Sequence, residues 1–471
     1  MTGADAAASA PGLATPAPAR RSPLGWPATW LFVILTIIGA VVLGRAFGSA
    51  VVGNPVAFTT AVILFGIHGA IFVAIIRTVD WLEPEPKRYL AVALLWGGIV
   101  ASSSALRANT AVESILVKIA PLDFVRDWAA ALEGPTDEEI LKTLGIVMIV
   151  LLARPQINSI LDGVVYGAFV GLGFQEVENL TYSLNAVAQA GTDSAAPVVQ
   201  TFFVRGLLAG LWSHTVYSAI AGAGVAYAVL RRDRSWGVRI GVALLALLVA
   251  WCCHFLWNSP LLTAIADVPG GFGVIAAILL KGALILGAFL ILLYVVRRGE
   301  FAGLAAQLAR WRDPSVATPG EIAALRTARL RGVARWNAWV AGRYGARVAA
   351  KRLQRAQADL AVAMRDDESA VPARFPALRD ARQRLVERGV TDANAERRST
   401  VLGWVSFVLS FGVLLNVFVA VVPVALLLIG VSNARRQHRR ADPRLRTAVI
   451  MSLVFAVIWL VSFVARAADM Q

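Results

Sequence analysis

Eight apolar segments dominate this sequence, and several of them approach or exceed the roughly 20 residues that an α-helix needs to cross a bilayer. They cover residues 28–47, 55–76, 89–106, 139–153, 159–182, 206–229, 237–258 and 271–296. Hydrophobic residues make up 58% of the chain and the mean hydropathy is +0.66, both far from the values of an ordinary soluble domain. Because lipid offers no hydrogen bonds to the backbone, helices are expected to span it. We therefore predict an all-α fold, a polytopic transmembrane bundle with about eight core spans.

Composition divides the chain into four predicted regions. Residues 1–25 are rich in Ala and Pro and are expected to form a disordered cytoplasmic tail. The eight-span core follows at 26–297. Residues 298–400 carry Arg, Ala and Leu in helical spacing, which predicts a basic cytoplasmic helical segment, either an amphipathic helix on the membrane or a small helical subdomain. Residues 401–471 are expected to add two or three membrane segments, including a hairpin.

The distribution of basic residues predicts the orientation of the bundle. The connections that contain Arg77, Arg154 and Arg231 alternate with the connections 48–54, 183–198 and 259–270, which contain no Lys or Arg, and with 107–137, which is mixed. By the positive-inside rule the N-terminus is cytoplasmic. Only five of the 45 basic residues are lysine, and this preference for arginine, together with heavy use of alanine, indicates a GC-rich bacterial genome. The expected location is the bacterial plasma membrane.

The net charge of +15 is concentrated outside the apolar segments. Residues 297–398 contain 21 Lys and Arg against 11 Asp and Glu. A basic stretch beside membrane spans is typical of attraction to anionic lipid headgroups. We therefore expect the basic stretch to bind anionic lipid headgroups and not nucleic acid.

Ionisable side chains interrupt the apolar segments, where each costs a few kcal/mol or more and so indicates function. They are Glu138, Glu139, Glu178, His214 and His254, and they fall on the fourth to seventh segments. With the predicted orientation, all of them lie toward the extracytoplasmic side. We therefore expect them to share one pocket.

Helical spacing also predicts which way two of these groups face. Gly206, Gly210, His214, Ser218 and Gly222 recur every four residues, a small-residue pattern typical of packed membrane helices. On one continuous helix this pattern turns His214 toward the interior of the bundle. A second pattern, Thr-x-x-Glu from Thr136 to Glu139 after Gly134-Pro135, predicts a capped helix start.

The predicted cluster suits hydrolysis of a peptide bond. A carboxylate beside an imidazole can take a proton from water while a neighbouring acid or amide stabilises the oxyanion. This version requires no cofactor. The alternative is a zinc ion held by His214, His254 and Glu139 with water as the fourth ligand. The sequence lacks the HExxH pattern, which favours the metal-free version.

The order of these motifs resembles a known family. In sequence they are EExxK at 138–142, Asp162-Gly163, Tyr166-Gly167, Gly173-Phe174, Glu178-Asn179, Tyr182, His214 and the HxxxN run from His254 to Asn258. Together they resemble the PrsW family of intramembrane proteases, distant relatives of the type II CAAX prenyl proteases, over roughly residues 89–296. The extension beyond residue 297 lies outside the resemblance.

The resemblance implies an endopeptidase that cuts a membrane-anchored protein, such as an anti-sigma factor, near the extracytoplasmic face. By matching motifs, the resemblance assigns the catalytic role to four residues, Glu138, Glu139, His214 and His254. Supporting roles fall to Glu178, Asn258, Lys142 and Asn179. Whether the mechanism is glutamic or metal-dependent stays open at this point.

Two other classes of protein would also place polar groups inside a bundle. A proton- or ion-coupled transporter is the first, and such folds often contain inverted repeats. No repeat between the two halves of the core is evident, which favours the enzyme. The second is a non-catalytic membrane scaffold whose basic segment recruits a partner, and for that class Glu138 would be dispensable.

Overall fold

The computed structural model describes residues 25–79, 85–266, 272–366 and 368–394. Every regular element in these ranges is a helix. The α-helices are α1 (Pro27–Gly53), α2 (Pro55–Val79), α3 (Lys87–Leu95), α4 (Ser102–Ile119), α5 (Leu122–Ala153), α6 (Ile160–Ala190), α7 (Ala195–Thr201), α8 (His214–Leu230), α9 (Trp236–Asn258), α10 (Thr263–Ala266), α11 (Phe272–Trp311), α12 (Pro319–Leu325), α13 (Ala328–Asp366) and α14 (Phe375–Val386). The all-α prediction is confirmed, whereas the predicted regions 1–25 and 401–471 lie almost entirely outside the described residues.

The predicted spans correspond to helices of the bundle. Within the described ranges, six helices are long and apolar enough to cross a membrane, and a seventh crossing exists if the bent pair Ala195–Leu208 and Gly210–Leu230 is one span. One of the six is α3 and α4 joined by a π-helical turn at Trp96–Ala101. The remaining predicted segment, 139–153, is the second half of α5, which is not among the six because its start carries four charged residues, Asp137, Glu138, Glu139 and Lys142.

Helix α6 is the centre of the bundle. In its most apolar stretch 83% of the residues are buried, against 11% for α1 at the periphery. Helices α2, α3, α5 and α8 all pack against it. Because α6 lies at the centre, its contacts with these four helices determine how far along the bundle, and in which direction, their inward-facing side chains point.

Glycines on α6 bring α8 into backbone contact. A Cβ on Gly163, Gly167 or Gly171 would overlap the carbonyl oxygen of a residue on α8. The overlapped oxygens belong to Gly222, Ser218 and His214, in that order. Small residues allow such close approach, which maximises van der Waals packing where lipid supplies no hydrophobic driving force.

Two local predictions were wrong. The four-residue pattern from Gly206 to Gly222 does not lie on one helix, because a π-helical turn at Phe202–Leu208 and a 3₁₀ turn at Gly210–Trp212 precede α8. His214 is therefore the first residue of α8 rather than its middle. The predicted cap at Thr136 is also absent, since α5 runs unbroken through Pro135 and the Thr136 hydroxyl donates to the Leu132 carbonyl.

Residues beyond the core form a small packed helical unit. The last turns of α11 join α12, α13 and α14 around a second hydrophobic core that includes Phe301, Leu304 and Leu353. Because α11 is one helix of 40 residues, about 60 Å long, the predicted boundary at residue 297 falls inside it. Residues 298–394, apart from residue 367, are described, and their helices pack around this core.

Close packing of α6 on α8 predicts that Gly167→Ala destabilises the protein. Overpacking of this kind typically costs about 1–3 kcal/mol. The control is Gly287→Ala on α11, where a Cβ would meet nothing within 4 Å. We expect thermal unfolding in detergent to occur at a lower temperature for the first variant and not for the second; equal midpoints would contradict the packing argument.

Candidate active site

Four helices bring the predicted polar residues together in the interior of the bundle. Helix α5 contributes Glu138, Glu139 and Lys142, while α6 contributes Glu178. Helix α8 begins with His214, and His254 lies near the end of α9. The side chains of Glu138, Glu139, Lys142, His214 and His254 are at most 5% exposed.

Hydrogen bonds fix the tautomer of His214. Arg205 Nη2 donates to Glu178 Oε2 at 2.6 Å, so this oxygen acts as an acceptor. His214 Nε2 lies 2.6 Å from the same oxygen and therefore carries the hydrogen. The other ring nitrogen, Nδ1, accepts from Lys142 Nζ at 2.8 Å. The lone pair of Nδ1 thus points toward the centre of the cluster.

His254 repeats this arrangement with other partners. Asn258 Nδ2 lies 3.1 Å from His254 Nε2 and can only donate, so Nε2 is the acceptor. Nδ1 then donates to Glu139 Oε1 at 2.9 Å. Each imidazole in the cluster therefore has a carboxylate on one nitrogen and a lone pair on the other.

Lys142 supplies the positive charge at the centre of the cluster. Its ammonium lies 2.7 Å from Glu139 Oε1 and 3.7 Å from Glu138 Oε2. It also packs over the ring of Phe174, 4.5 Å from the centroid. A fully buried ammonium requires such partners, because an unpaired charge is very costly at this depth.

Glu138 connects the cluster to a cavity. Its Oε1 accepts from Asn109 Nδ2 at 3.2 Å, while Oε2 has no hydrogen-bond partner among the described residues. The cavity beside it has a volume of about 190 Å³ and is also lined by Glu178, Tyr182 and Asn258. Glu138 and Glu178 therefore connect the buried cluster to this cavity.

The structure also groups three potential metal ligands. One ligand atom from each of Glu138, His214 and His254 lies within 4.8 Å of the others. The sequence pattern gave Glu139 in place of Glu138. In the structure Glu139 Oε1 instead accepts hydrogen bonds from Lys142 Nζ and from His254 Nδ1.

A helical bundle with buried carboxylates and imidazoles beside a cavity defines a polytopic membrane protein with a hydrolase-like site. Residues 85–297 match the family model described as PrsW family intramembrane metalloprotease. This match confirms the resemblance seen in the sequence, and together with the apolar helices it supports a multi-pass membrane protein with a membrane-embedded peptidase region. Comparisons with curated proteins and with solved structures gave no match.

The residues present fit the metal that the family description implies. A glutamate and two histidines are an established ligand set for catalytic zinc. Histidine ligands of metals usually donate their second nitrogen to a carboxylate or carbonyl, as His214 does to Glu178 and His254 does to Glu139. Glu138 Oε2, which accepts no hydrogen bond from the described residues, would be the third donor.

Arg205 and Asn109 are part of the site but were missed in the sequence. Arg205 also donates from Nε to Asn179 Oδ1 at 3.1 Å, which gives both predicted supporting residues of α6 one common partner. A single arginine inside the apolar stretch 195–212 was the available signal. Asn109 carried no signal, because it lies in a stretch that was expected to be a connection.

The pairing of Glu178 with His214 predicts the effect of Glu178→Gln. An amide holds the imidazole less firmly than a carboxylate does, and loss of such a partner typically costs about 10–100-fold in activity or metal affinity. We expect peptide cleavage to fall within that range while the protein stays folded. The matched control is Glu113→Gln on α4, which is exposed. Equal rates for the two variants would contradict the assigned role.

Proposed function

We propose that the protein is a zinc-dependent endopeptidase that cuts a membrane-anchored protein near the extracytoplasmic face. The observation that carries the proposal is the pairing of each buried imidazole with a carboxylate on one nitrogen and a lone pair on the other. Together with Glu138 at the cavity, this arrangement matches a metal-binding site better than a set of packing contacts.

Glu138, His214 and His254 are the residues that would hold the ion. His214 would bind through Nδ1 and His254 through Nε2, because their other nitrogens are engaged by Glu178 and Glu139. Bound zinc would polarise the scissile carbonyl and make water more acidic. The family description as a metalloprotease supports this version over the metal-free one.

Glu139 is the proposed proton acceptor. The Lys142 ammonium, 2.7 Å from Oε1, favours the ionised carboxylate, and Oε2 has no hydrogen-bond partner among the described residues. Glu139 takes a proton from water as the water oxygen forms a bond to the carbonyl carbon. It returns that proton to the amide nitrogen as the carbon–nitrogen bond breaks.

Asn258 is placed to stabilise the oxyanion. Its side chain lines the cavity, and its amide nitrogen donates to the Ala130 carbonyl at 3.0 Å and to His254. A pre-oriented amide donor of this kind typically contributes about 10²–10³ in rate. Substrate would enter between the helices on the side of Tyr182, a residue that lines the cavity and is 46% exposed.

The substrate class follows from the depth of the site and from the resemblance. A cleavage site between helices is reached most directly by a chain that is itself tethered to the membrane, such as an anti-sigma factor with one span. The expected setting is the bacterial plasma membrane, with the N-terminus cytoplasmic and anionic headgroups around the basic helical unit.

Separate roles for the two adjacent glutamates predict different outcomes for their amide variants. Glu138→Gln should lose both bound zinc and cleavage, because it removes a ligand. Glu139→Gln should lose cleavage by about 10²-fold or more, because it removes the proton acceptor. It keeps all three metal ligands and loses only the carboxylate partner of His254, so it should bind more zinc than Glu138→Gln does. Metal content of purified protein and cleavage of single-span reporters in liposomes measure the two properties. Cleavage by Glu139→Gln at the wild-type rate would refute the assignment.

Removal of the metal provides a test that needs no variant. We expect purified protein to bind about one zinc per chain, to lose cleavage on dialysis against a chelator, and to regain it when zinc is added. A reporter library with varied juxtamembrane segments supplies the substrate. Full cleavage in metal-free protein would favour the glutamic version instead.

A further inference from the structure

A second buried histidine–glutamate pair lies next to the site, and its histidine is on a helix outside the family match. His68 of α2 is 3% exposed, and its Nδ1 lies 2.7 Å from Glu176 Oε1 on α6. Its Nε2 lies 3.0 Å from the carbonyl oxygen of Gly206. Because a carbonyl can only accept, Nε2 carries the hydrogen and donates it.

Gly206 belongs to the π-helical turn that carries Arg205. This turn, Phe202–Leu208, interrupts the helical path between α7 and α8. A π-helical turn replaces the usual hydrogen bonds with i→i+5 bonds, such as the one from Ala209 N to the Val204 carbonyl at 3.0 Å, and such turns frequently lie at functional sites. His68 contacts this turn one residue away from Arg205.

Arg205 in turn holds the carboxylate that orients His214. It donates to Glu178 Oε2 at 2.6 Å and to Asn179 Oδ1 at 3.1 Å, and its guanidinium stacks 3.7 Å from the centroid of the Tyr182 ring. Glu178 Oε2 in turn accepts a hydrogen bond from His214 Nε2 and so holds the imidazole in place. A continuous series of hydrogen bonds and one backbone turn therefore links α2 to the candidate metal ligand.

We infer that His68 is a positioning residue for the peptidase, acting through the Gly206 carbonyl and Arg205 on Glu178 and His214. The inference rests on the proposed function. It makes α2, which precedes the matched segment 85–297, part of the catalytic unit. His68 does not contact the cluster itself, so it is not a catalytic residue.

The side chain of His68 allows a matched pair of variants. In His68→Gln the terminal amide reaches the position of Nε2 and can still donate to the Gly206 carbonyl. In His68→Asn the shorter amide remains polar but reaches only the position of Nδ1. We expect His68→Gln to cleave a single-span reporter near the wild-type rate, and His68→Asn to show kcat about tenfold lower with KM unchanged.

A nearby aromatic residue controls for packing. Phe65 lies one turn earlier on α2, is equally buried and packs on the same Phe202 ring as His68, but makes no hydrogen bond through its side chain. We expect Phe65→Leu to lower the thermal midpoint in detergent without the fall in kcat. A loss of kcat in Phe65→Leu equal to that in His68→Asn would overturn the inference.

A double-mutant cycle with Arg205→Gln tests the path. If His68 acts through Arg205, His68→Asn should have little further effect on kcat in the Arg205→Gln background. Full additivity, or equal rates for His68→Asn and His68→Gln, would overturn this inference alone. Absence of reporter cleavage by the wild-type protein would instead overturn the proposed function, and this inference with it.

Discussion

Pairing of buried charge is the constraint on which the structure depends. The cluster on α5, α6, α8 and α9 places carboxylates, imidazoles and one ammonium where water is scarce, and each group would be prohibitively costly alone. Lys142 pairs with both glutamates of α5, and Glu178 pairs with Arg205. Because every partner comes from a neighbouring turn or helix, the charges fix how the four helices sit relative to one another.

Close helix packing makes this pairing geometry attainable. Hydrogen bonds of 2.6 to 2.9 Å between side chains on different helices require the backbones to be held at one distance. The glycines of α6 supply that distance by letting α8 touch them, and the contact at Gly171 falls on the carbonyl of His214 itself. The α6–α8 packing interface and the site therefore share His214. A substitution in the interface should alter the geometry of the site, and a substitution in the site should alter the packing.

The sequence revealed most of the helices and the set of interacting residues, for different physical reasons. Long apolar segments and ionisable residues within them are strong signals in lipid, and the motif order resembled one family. Local irregularities left no comparable signal. Turns at 202–208 and 210–212 break a perfect small-residue pattern, and Pro135 sits within α5 where a helix start was expected. Long-range pairs such as His68 with Glu176 depend on which helices become neighbours, and periodicity along one helix does not contain that information.

The two lone pairs that face the cluster are each covered by a donor, which explains how the site stays ordered around two neutral imidazoles. Lys142 covers His214 Nδ1 and Asn258 covers His254 Nε2. Both donors must turn away if those nitrogens bind an ion. Neither would be left unpaired, because Lys142 keeps Glu139 at 2.7 Å and Asn258 keeps the Ala130 carbonyl at 3.0 Å. Such an exchange would leave no buried polar group without a hydrogen-bond partner, and in the proposed mechanism it would turn one N–H of Lys142 and one of Asn258 toward the developing negative charge.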